Sequence, residues 1–391
     1  MKLGFTPQDI RHNNQLNVIK LLKKKPHTHK QLATKLDLSN TAIQNILSSL
    51  LLKELVVVEK QLINKTGRPS TVVSLNTEKF FTILVFFNNT QVQISAYSFS
   101  KTLLAEIKAF YTPFNMDSAN QVITESIRKM LSYDNLKYRT LCNISFSLPG
   151  LVTNDNVVAT TSLNHNKEPY DPYSFFSKQF SCDILINDLK VNYTQGEYST
   201  NKELKQQNVI AFYSITFPTL SLIINKQIYR GANGFFGEIG FLSDTLSTFP
   251  NENIRQLSPN NIDHTVSLNN VIDEITKNLY PDRNETLTLN EVADLLNSQH
   301  PLVVEKINNH CNRLCAFILN LSILFDFDAL VFSGEIAPLK DYYFDKLNEF
   351  LTKNAFAPIK LILGNDSNVS TLIGSLNNAI DSGYNKLLEL K

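Results

Sequence analysis

The chain has 391 residues, 43% hydrophobic and 19% charged. That length exceeds one ordinary domain, and the composition excludes a disordered or fibrous chain. No apolar run reaches the length of a membrane span and no signal-peptide pattern opens the sequence, so a cytoplasmic protein without membrane attachment is expected; four cysteines suit a reducing compartment. The net charge of +1 conceals an asymmetry. Residues 1–70 hold twelve Lys/Arg against four Asp/Glu, a balance of +8, which leaves −7 for the remainder. A basic N-terminal arm on an acidic body predicts an anionic partner, nucleic acid being the usual one; the plainer alternative is a solvated, lysine-rich surface.

Residues 11–24 carry Leu16, Ile19 and Leu22 along one helical face. Lys23, Lys24 and Lys25 follow where cations oppose the helix dipole, and Pro26 is the stop. Thr28-His29-Lys30-Gln31 is a capping box that opens a second short helix. After a turn at Asp37-Leu38, Ser39 caps a third helix to about Leu52, with Ala42, Ile43, Ile46, Leu47 and Leu50 on its buried face. Two strands, Leu55–Glu59 and Thr71–Leu75, flank a loop containing Lys65-Thr66-Gly67-Arg68-Pro69. Helix, helix-turn-helix and hairpin in this order predict a winged helix-turn-helix domain over residues 1–76. Asn40, Thr41, Gln44, Asn45 and Ser48 are the candidates to face a DNA major groove, where Asn and Gln pair well with adenine. Lys65 and Arg68 are candidates for phosphate or the minor groove. The recognition helix has no Lys or Arg before Lys53, which limits the phosphate contacts that supply much of DNA affinity. The alternative is a winged helix retained as a dimer or partner-docking surface.

The body begins near Glu78. Phe81–Phe87 and Gln91–Tyr97 read as apolar strands around Asn88-Asn89-Thr90, and further strands are expected at Ile144–Leu151, Ile184–Asp188, Val209–Ser214, from Ala329 into a turn ending at Ala337, and at Leu361–Gly364. Residues 302–325 form a long apolar helix. Cys311 and Cys315 fall four apart on it beside His310; core packing is the expected role, because a structural zinc site needs four ligands. Four of the 12 glycines lie between Gly231 and Gly240, inside the stretch Ile228–Phe241 (IYRGANGFFGEIGF). Such crowding marks backbone that turns tightly or comes close to something.

These stretches, taken in order over nearly the whole chain, resemble the ROK family of sugar kinases and sugar-responsive repressors. The resemblance includes Gly67-Arg68-Pro69 at the end of the wing, with Glu54 standing where the family has a glycine. It implies an α/β two-lobed actin-like ATPase (ROK) fold behind the winged helix: a ROK domain over residues 77–391, lobe I at about 77–188 plus a C-terminal helix 368–391, and lobe II at about 189–367. In the family, the glutamate of a Gly-Glu-Ile-Gly-His step touches a sugar hydroxyl, and Glu238 matches it; the histidine, a zinc ligand, is Phe241 here. Asp188 matches the aspartate that acts as general base, with Asn187 before it and Lys190 near the position of a second asparagine. Ile144–Leu151 resembles the family's strand into a Pro-Gly-Leu-Val turn, Ser162-Leu163-Asn164 the segment following it, and the helix at Asn368–Ala379 the closing one.

Several elements depart from the kinase pattern. Aligning the phosphate-binding Asp-x-Gly-x-Thr turn on Thr90 puts Phe86 at the aspartate and Asn88 at the glycine. The Gly-Thr-Gly-x-Gly phosphate loop reads Thr216-Phe217-Pro218-Thr219, and Phe and Pro cannot present the required row of N–H groups. Ser333 replaces the first glycine of a Gly-Gly step near adenosine. Residues 242–270 lack the cysteines of the zinc loop, hold only His264, and are expected to be a disordered loop. The expectation is therefore a non-enzyme without ATP or zinc, retaining Asn187, Asp188 and Glu238 as a vestigial sugar site that either still binds sugar or is kept structurally. Three functions remain. The first choice is a homodimeric anti-repressor, of the kind that relieves repression at antibiotic-resistance genes, acting by contact with another transcriptional repressor and binding DNA weakly. The second is a DNA-binding repressor with altered or absent sugar control. Sugar kinase comes last.

Overall fold

The computed structural model describes residues 6–61, 70–87, 91–113, 115–153, 158–160, 170–243 and 261–389. The expectations placed on Lys65, Arg68, Asn88–Thr90 and Ser162–Asn164 lie outside the described residues.

The first helix, α1 (Pro7–Leu22), begins four residues before its apolar pattern suggests. The Thr6 hydroxyl accepts from the Asp9 N–H, the Asp9 carboxylate reaches back to Thr6, and Pro7 sits in the first turn, where no donor is needed. A two-residue strand, β1 (His27–Thr28), was not expected; it precedes α2 (His29–Leu36), which the Thr28–Gln31 capping box opens and Asp37 closes at φ 52°. Helix α3 (Asn40–Leu52), capped by Ser39, buries Ile43, Ile46, Leu47 and Leu50, whereas Ala42 is only half-buried. Strands β2 (Val56–Gln61) and β3 (Ser70–Leu75) pair antiparallel, and β1 joins them in the order β1-β3-β2. Gln15 of α1, itself buried, donates to Ser49 Oγ of α3 at 3.0 Å and ties the two helices together. Glu54 has φ 56°, the left-handed region that favours glycine. Its carbonyl accepts from Asn76 Nδ2, and its carboxylate pairs with Lys79.

The body opens with β4 (Phe80–Phe87), β5 (Gln91–Ser98), β6 (Leu103–Phe110), α4 (Met116–Leu131) and β7 (Thr140–Leu148). Then come β8 (Leu151–Val152), β9 (Val158–Thr160), α5 (Pro172–Phe176) and β10 (Asp183–Asp188). The five-stranded sheet runs β10-β7-β4-β5-β6. Its β4 is antiparallel to β5 and parallel to β7, and its near-continuous apolar run suits a strand covered on both faces. Beyond it lie α6 (Leu189–Thr200), β11 (Val209–Ser214), β12 (Thr219–Ile224), β13 (Gln227–Tyr229), α7 (Ile262–Val266), α8 (Leu268–Leu279) and α9 (Leu289–Asn297). The chain closes with α10 (Pro301–Phe325), β14 (Ala329–Phe332), α11 (Lys340–Asn354), β15 (Lys360–Leu363) and α12 (Ser367–Glu389). A second five-stranded sheet runs β13-β12-β11-β14-β15, with β11, β14 and β15 parallel. Residues 262–270, expected in a disordered loop, form α7 and the start of α8 instead. Val266 and Leu268 are buried there, so apolar contacts outweigh the Asn- and Ser-rich composition. Residues 244–260 of that loop lie outside the described residues.

Contacts divide the chain into two units, one made of residues 1–147, 173–186 and 376–391, the other of 148–172 and 187–375. In the second, α10 lays Ile307, Cys311, Leu314 and Ile318 into a core with Leu330 and Phe332 of β14. His310 joins that core. Its Nδ1 lies 2.7 Å from Tyr343 Oη and its Nε2 3.0 Å from the Val266 carbonyl, and burial pushes its pKa down to about 4, so the ring is neutral and structural. Cys311 and Cys315 are buried with it, as expected of core residues. Among the described residues, no helix is long and apolar enough to cross a membrane.

Helices α6 and α12 cross in this unit at glycines. A Cβ at Gly196 would lie 1.8 Å from the Ser370 carbonyl oxygen, and one at Gly374 would lie 1.8 Å from that of Asn192. Backbone cannot yield as a side-chain tip can. Gly196→Ala should therefore lower stability by about 3 kcal/mol, although alanine gains about 1 kcal/mol in helix propensity. Urea unfolding of the two proteins measures the difference, and an unchanged midpoint would mean the helices separate freely.

Candidate functional site

In the first unit, the Ser39 cap and the buried Ile43, Ile46, Leu47 and Leu50 fix which face of α3 turns outward. Asn40, Thr41, Gln44, Asn45 and Ser48 are all exposed on it, so the five expected contact residues share one open surface. Leu51 and Leu52 extend that surface, and Leu52 is 86% exposed. The surface carries no charge before Lys53, and the Lys53 ammonium is turned onto the carbonyls of Leu387 and Leu388 at 3.2 and 2.5 Å. Basic side chains are exposed nearby at Lys30 and Lys35 of α2.

In the second unit, the residues expected to form a vestigial sugar site are close together, and each already has a protein partner. Burial alternates along β10, which turns Asp188 inward. There its carboxylate caps α6, accepting from the Val191 N–H at 2.6 Å. Burial holds the Asp188 carboxyl above the usual range, against the pull of Lys190, the Val191 N–H and Arg230. Asn187 Oδ1 accepts from Arg230 at 3.3 Å. Glu238 is delivered by the glycine-rich stretch, where Gly231, Gly234 and Gly237 take φ of 71°, 87° and 81°. Gly237 also passes β12 so closely that a Cβ would lie 1.6 Å from the Leu220 carbonyl oxygen.

Lys190 completes the group. Its ammonium donates to Glu238 Oε1 and to the Phe236 carbonyl, both at 2.6 Å, with the two charged side chains only 13% and 20% exposed. Burial raises the Glu238 carboxyl above its ordinary range; Lys190 lowers it and Asp188 raises it further. One oxygen of Glu238 is thus engaged by an ammonium two residues past Asp188. Lys190 had one signal in the sequence, its place near an expected asparagine; Arg230 had none.

A second carboxylate cluster occupies the ends of the parallel strands, the usual location of ligands in open α/β sheets. Glu335 accepts from Thr216 Oγ1 at 2.8 Å, Ser333 Oγ at 3.1 Å and Ser367 Oγ at 2.7 Å. It therefore joins two of the segments that depart from the kinase pattern, the Thr216–Thr219 turn and Ser333. All three hydroxyls donate to one protein carboxylate. Glu197 of α6, fully buried, accepts from the Asn365 N–H at 2.8 Å and Nδ2 at 3.1 Å and from Ser370 Oγ. Neither glutamate is among the sequence-expected site residues; the donors to Glu197, and Thr216 among the donors to Glu335, come from segments more than a hundred residues away. Among the described residues, no three His, Cys, Asp or Glu side chains are grouped to hold a metal ion.

The sequence matches the ROK family over residues 90–377. It is 25% identical over 353 residues, 88% of each chain, to the xylose repressor of Staphylococcus xylosus. A ROK family transcriptional regulator, homologous to the E. coli MLC protein, superposes with a TM-score of 0.79 at 15% identity, covering 97% of this chain and all of the other. A putative N-acetylmannosamine kinase from Listeria monocytogenes superposes with a TM-score of 0.61 at 14% identity, covering 76% of this chain and 98% of the other. The fold is the actin-like ATPase fold of these proteins, with the winged helix ahead of it.

The Lys190–Glu238 pair carries a pH signature. A carboxyl whose folded pKa is raised favours the folded state below its unfolded pKa, and that contribution is lost as pH rises through the folded value. Removing Lys190 takes away a cation that lowers the Glu238 and Asp188 carboxyls, so both rise further. Lys190→Met should cost little stability near about pH 4 and about 2 kcal/mol near about pH 8. Urea midpoints at the two pH values test this; an equal loss at both would show that the ammonium acts by packing alone.

Proposed function

The chain belongs to the ROK family, and we propose on that premise that it is a non-catalytic transcription regulator acting as an anti-repressor. In this reading the winged helix of residues 1–76 contacts another repressor, and the body, residues 77–391, is a homodimeric, cytoplasmic platform using neither ATP nor zinc. The observation that carries it is the uncharged recognition face. Leu51 and Leu52 are exposed at its end, and Lys53 is directed onto α12 instead of outward. A DNA-binding helix draws much of its affinity from cations on phosphate, whereas exposed apolar side chains beside small polar ones suit a protein contact. Asp188 serving as a helix cap and Glu238 paired with Lys190 support the absence of kinase chemistry and of sugar control.

A second reading, a DNA-binding repressor with altered or absent sugar control, is favoured by one observation. Asn40, Thr41, Gln44, Asn45 and Ser48 form an unobstructed polar row suited to base edges. Similarity to a xylose repressor over 88% of both chains supports the same reading.

A salt titration of binding to promoter fragments, with and without a second repressor, separates the two. The anti-repressor reading expects weak, non-selective DNA binding and displacement of the other repressor from its operator. Replacing Leu51 and Leu52 with alanine should then weaken displacement by about tenfold or more, with Gln44→Ala having little effect on DNA. Tight, sequence-selective binding by this protein alone, falling steeply with salt and lost in Gln44→Ala and Asn45→Ala, would replace it with the repressor reading.

A further inference from the structure

The glycine-rich stretch that delivers Glu238 also holds the one Asn-Gly step of the chain, Asn233-Gly234. The base of this loop is fixed. The Arg230 carbonyl accepts from the Phe236 N–H at 3.4 Å, and the Phe236 ring meets Tyr229 and Phe325 edge-on, with centroids 4.8 and 5.5 Å apart. Its tip is open. Residues 232–234 belong to no helix or strand, and Asn233 is exposed. Among the described residues, none bonds the Asn233 side chain and none accepts from the Gly234 N–H.

An asparagine side chain is open to attack by the backbone nitrogen of the next residue. Glycine at that place hinders the approach least, because it has no Cβ. The nitrogen must also be free, since an amide held in a hydrogen bond reacts only after local opening. Asn233 meets both conditions. Asn297 shows the contrast: it is exposed and followed by a small residue, but the Ser298 N–H donates to the Asp294 carbonyl at 3.0 Å at the end of α9.

We propose that Asn233-Gly234 is a self-modification site, at which the folded protein converts asparagine to aspartate and isoaspartate. The Gly234 nitrogen gives its proton to a solvent base and bonds to Asn233 Cγ. The Cγ–Nδ2 bond then breaks, and the amide nitrogen leaves as ammonia with a proton from water. Water opens the resulting succinimide. Attack at Cγ yields aspartate; attack at the backbone carbonyl carbon yields isoaspartate, whose main chain runs through Cγ and is one methylene longer. The net reaction consumes one water, releases one ammonia and needs no oxidant or cofactor. The product is an anion in the loop that also carries Arg230, whose guanidinium holds Asn187 Oδ1 at 3.3 Å. The site is independent of the partner that α3 meets, so its failure is distinct from failure of the anti-repressor reading.

Peptide mapping by mass spectrometry tests this on the full chain. The protein is incubated at mildly alkaline pH in water labelled with oxygen-18, which marks the conversions that occur during incubation. In the folded protein Asn233 should convert faster than Asn297 by about tenfold or more, and within about threefold of its own rate in guanidinium chloride, where hydrogen bonds and packing are lost. A smaller margin over Asn297, or a larger drop below the unfolded rate, overturns the proposal, because the fold would then shield the step. Methyl acceptance by isoaspartate, read on the whole protein, should fall in Asn233→Gln, whose longer side chain closes a larger ring; undiminished acceptance would place the site elsewhere and overturn it as well.

Discussion

The contact between α6 and α12 at Gly196 and Gly374 sets the position of nearly everything functional in the second unit. Both glycines leave room for nothing but backbone, so the two helices have one register against each other. Helix α6 carries the Asp188 cap at its start, Lys190 in its first turn and Glu197 in its last. Helix α12 brings Ser367 and Ser370 to Glu335 and Glu197. A shift of one residue along either helix would take Ser370 from Glu197, and a fully buried carboxylate that loses a donor is costly. The crossing and the carboxylates therefore specify each other.

Each of those carboxylates has partners within the protein. A general base needs a carboxylate aimed at substrate, and a phosphate site needs donors left free for an anion. Here Asp188 is spent on a helix N-terminus, Glu238 on an ammonium, and the hydroxyls of Thr216, Ser333 and Ser367 on Glu335.

The winged helix shows the same economy of charge. Its segment carries +8, yet the outward face of α3 is neutral, and the cation at its end, Lys53, serves the C-terminus of α12. The basic charge therefore lies beside the recognition helix, as at Lys30 and Lys35 of α2, rather than on it. The exposed side chains on that face of α3 are Asn, Gln, Thr, Ser and Leu.

Local physics made much of this legible in the sequence. The Thr28 and Ser39 caps, the apolar spacing of α3, the strand at Ile184–Asp188 and the long apolar helix α10 all depend on neighbours within a few residues, and each formed where its pattern placed it. The two-lobed fold was legible by another route, the resemblance of the motif order to the ROK family, and not from local propensity. Where local signals misled, tertiary burial won, as when Val266 and Leu268 drew residues 262–270 into helices. The sequence by itself determined which groups the fold would bring together, Asn187, Asp188 and Glu238 among them. Only the tertiary structure decided what they bond to. Lys190 meets Glu238 across 48 positions, Glu335 meets Thr216 across 119, and Lys53 meets Leu388 across 335. Side-chain partners at such separations follow from the packing of whole elements, which no short-range pattern encodes.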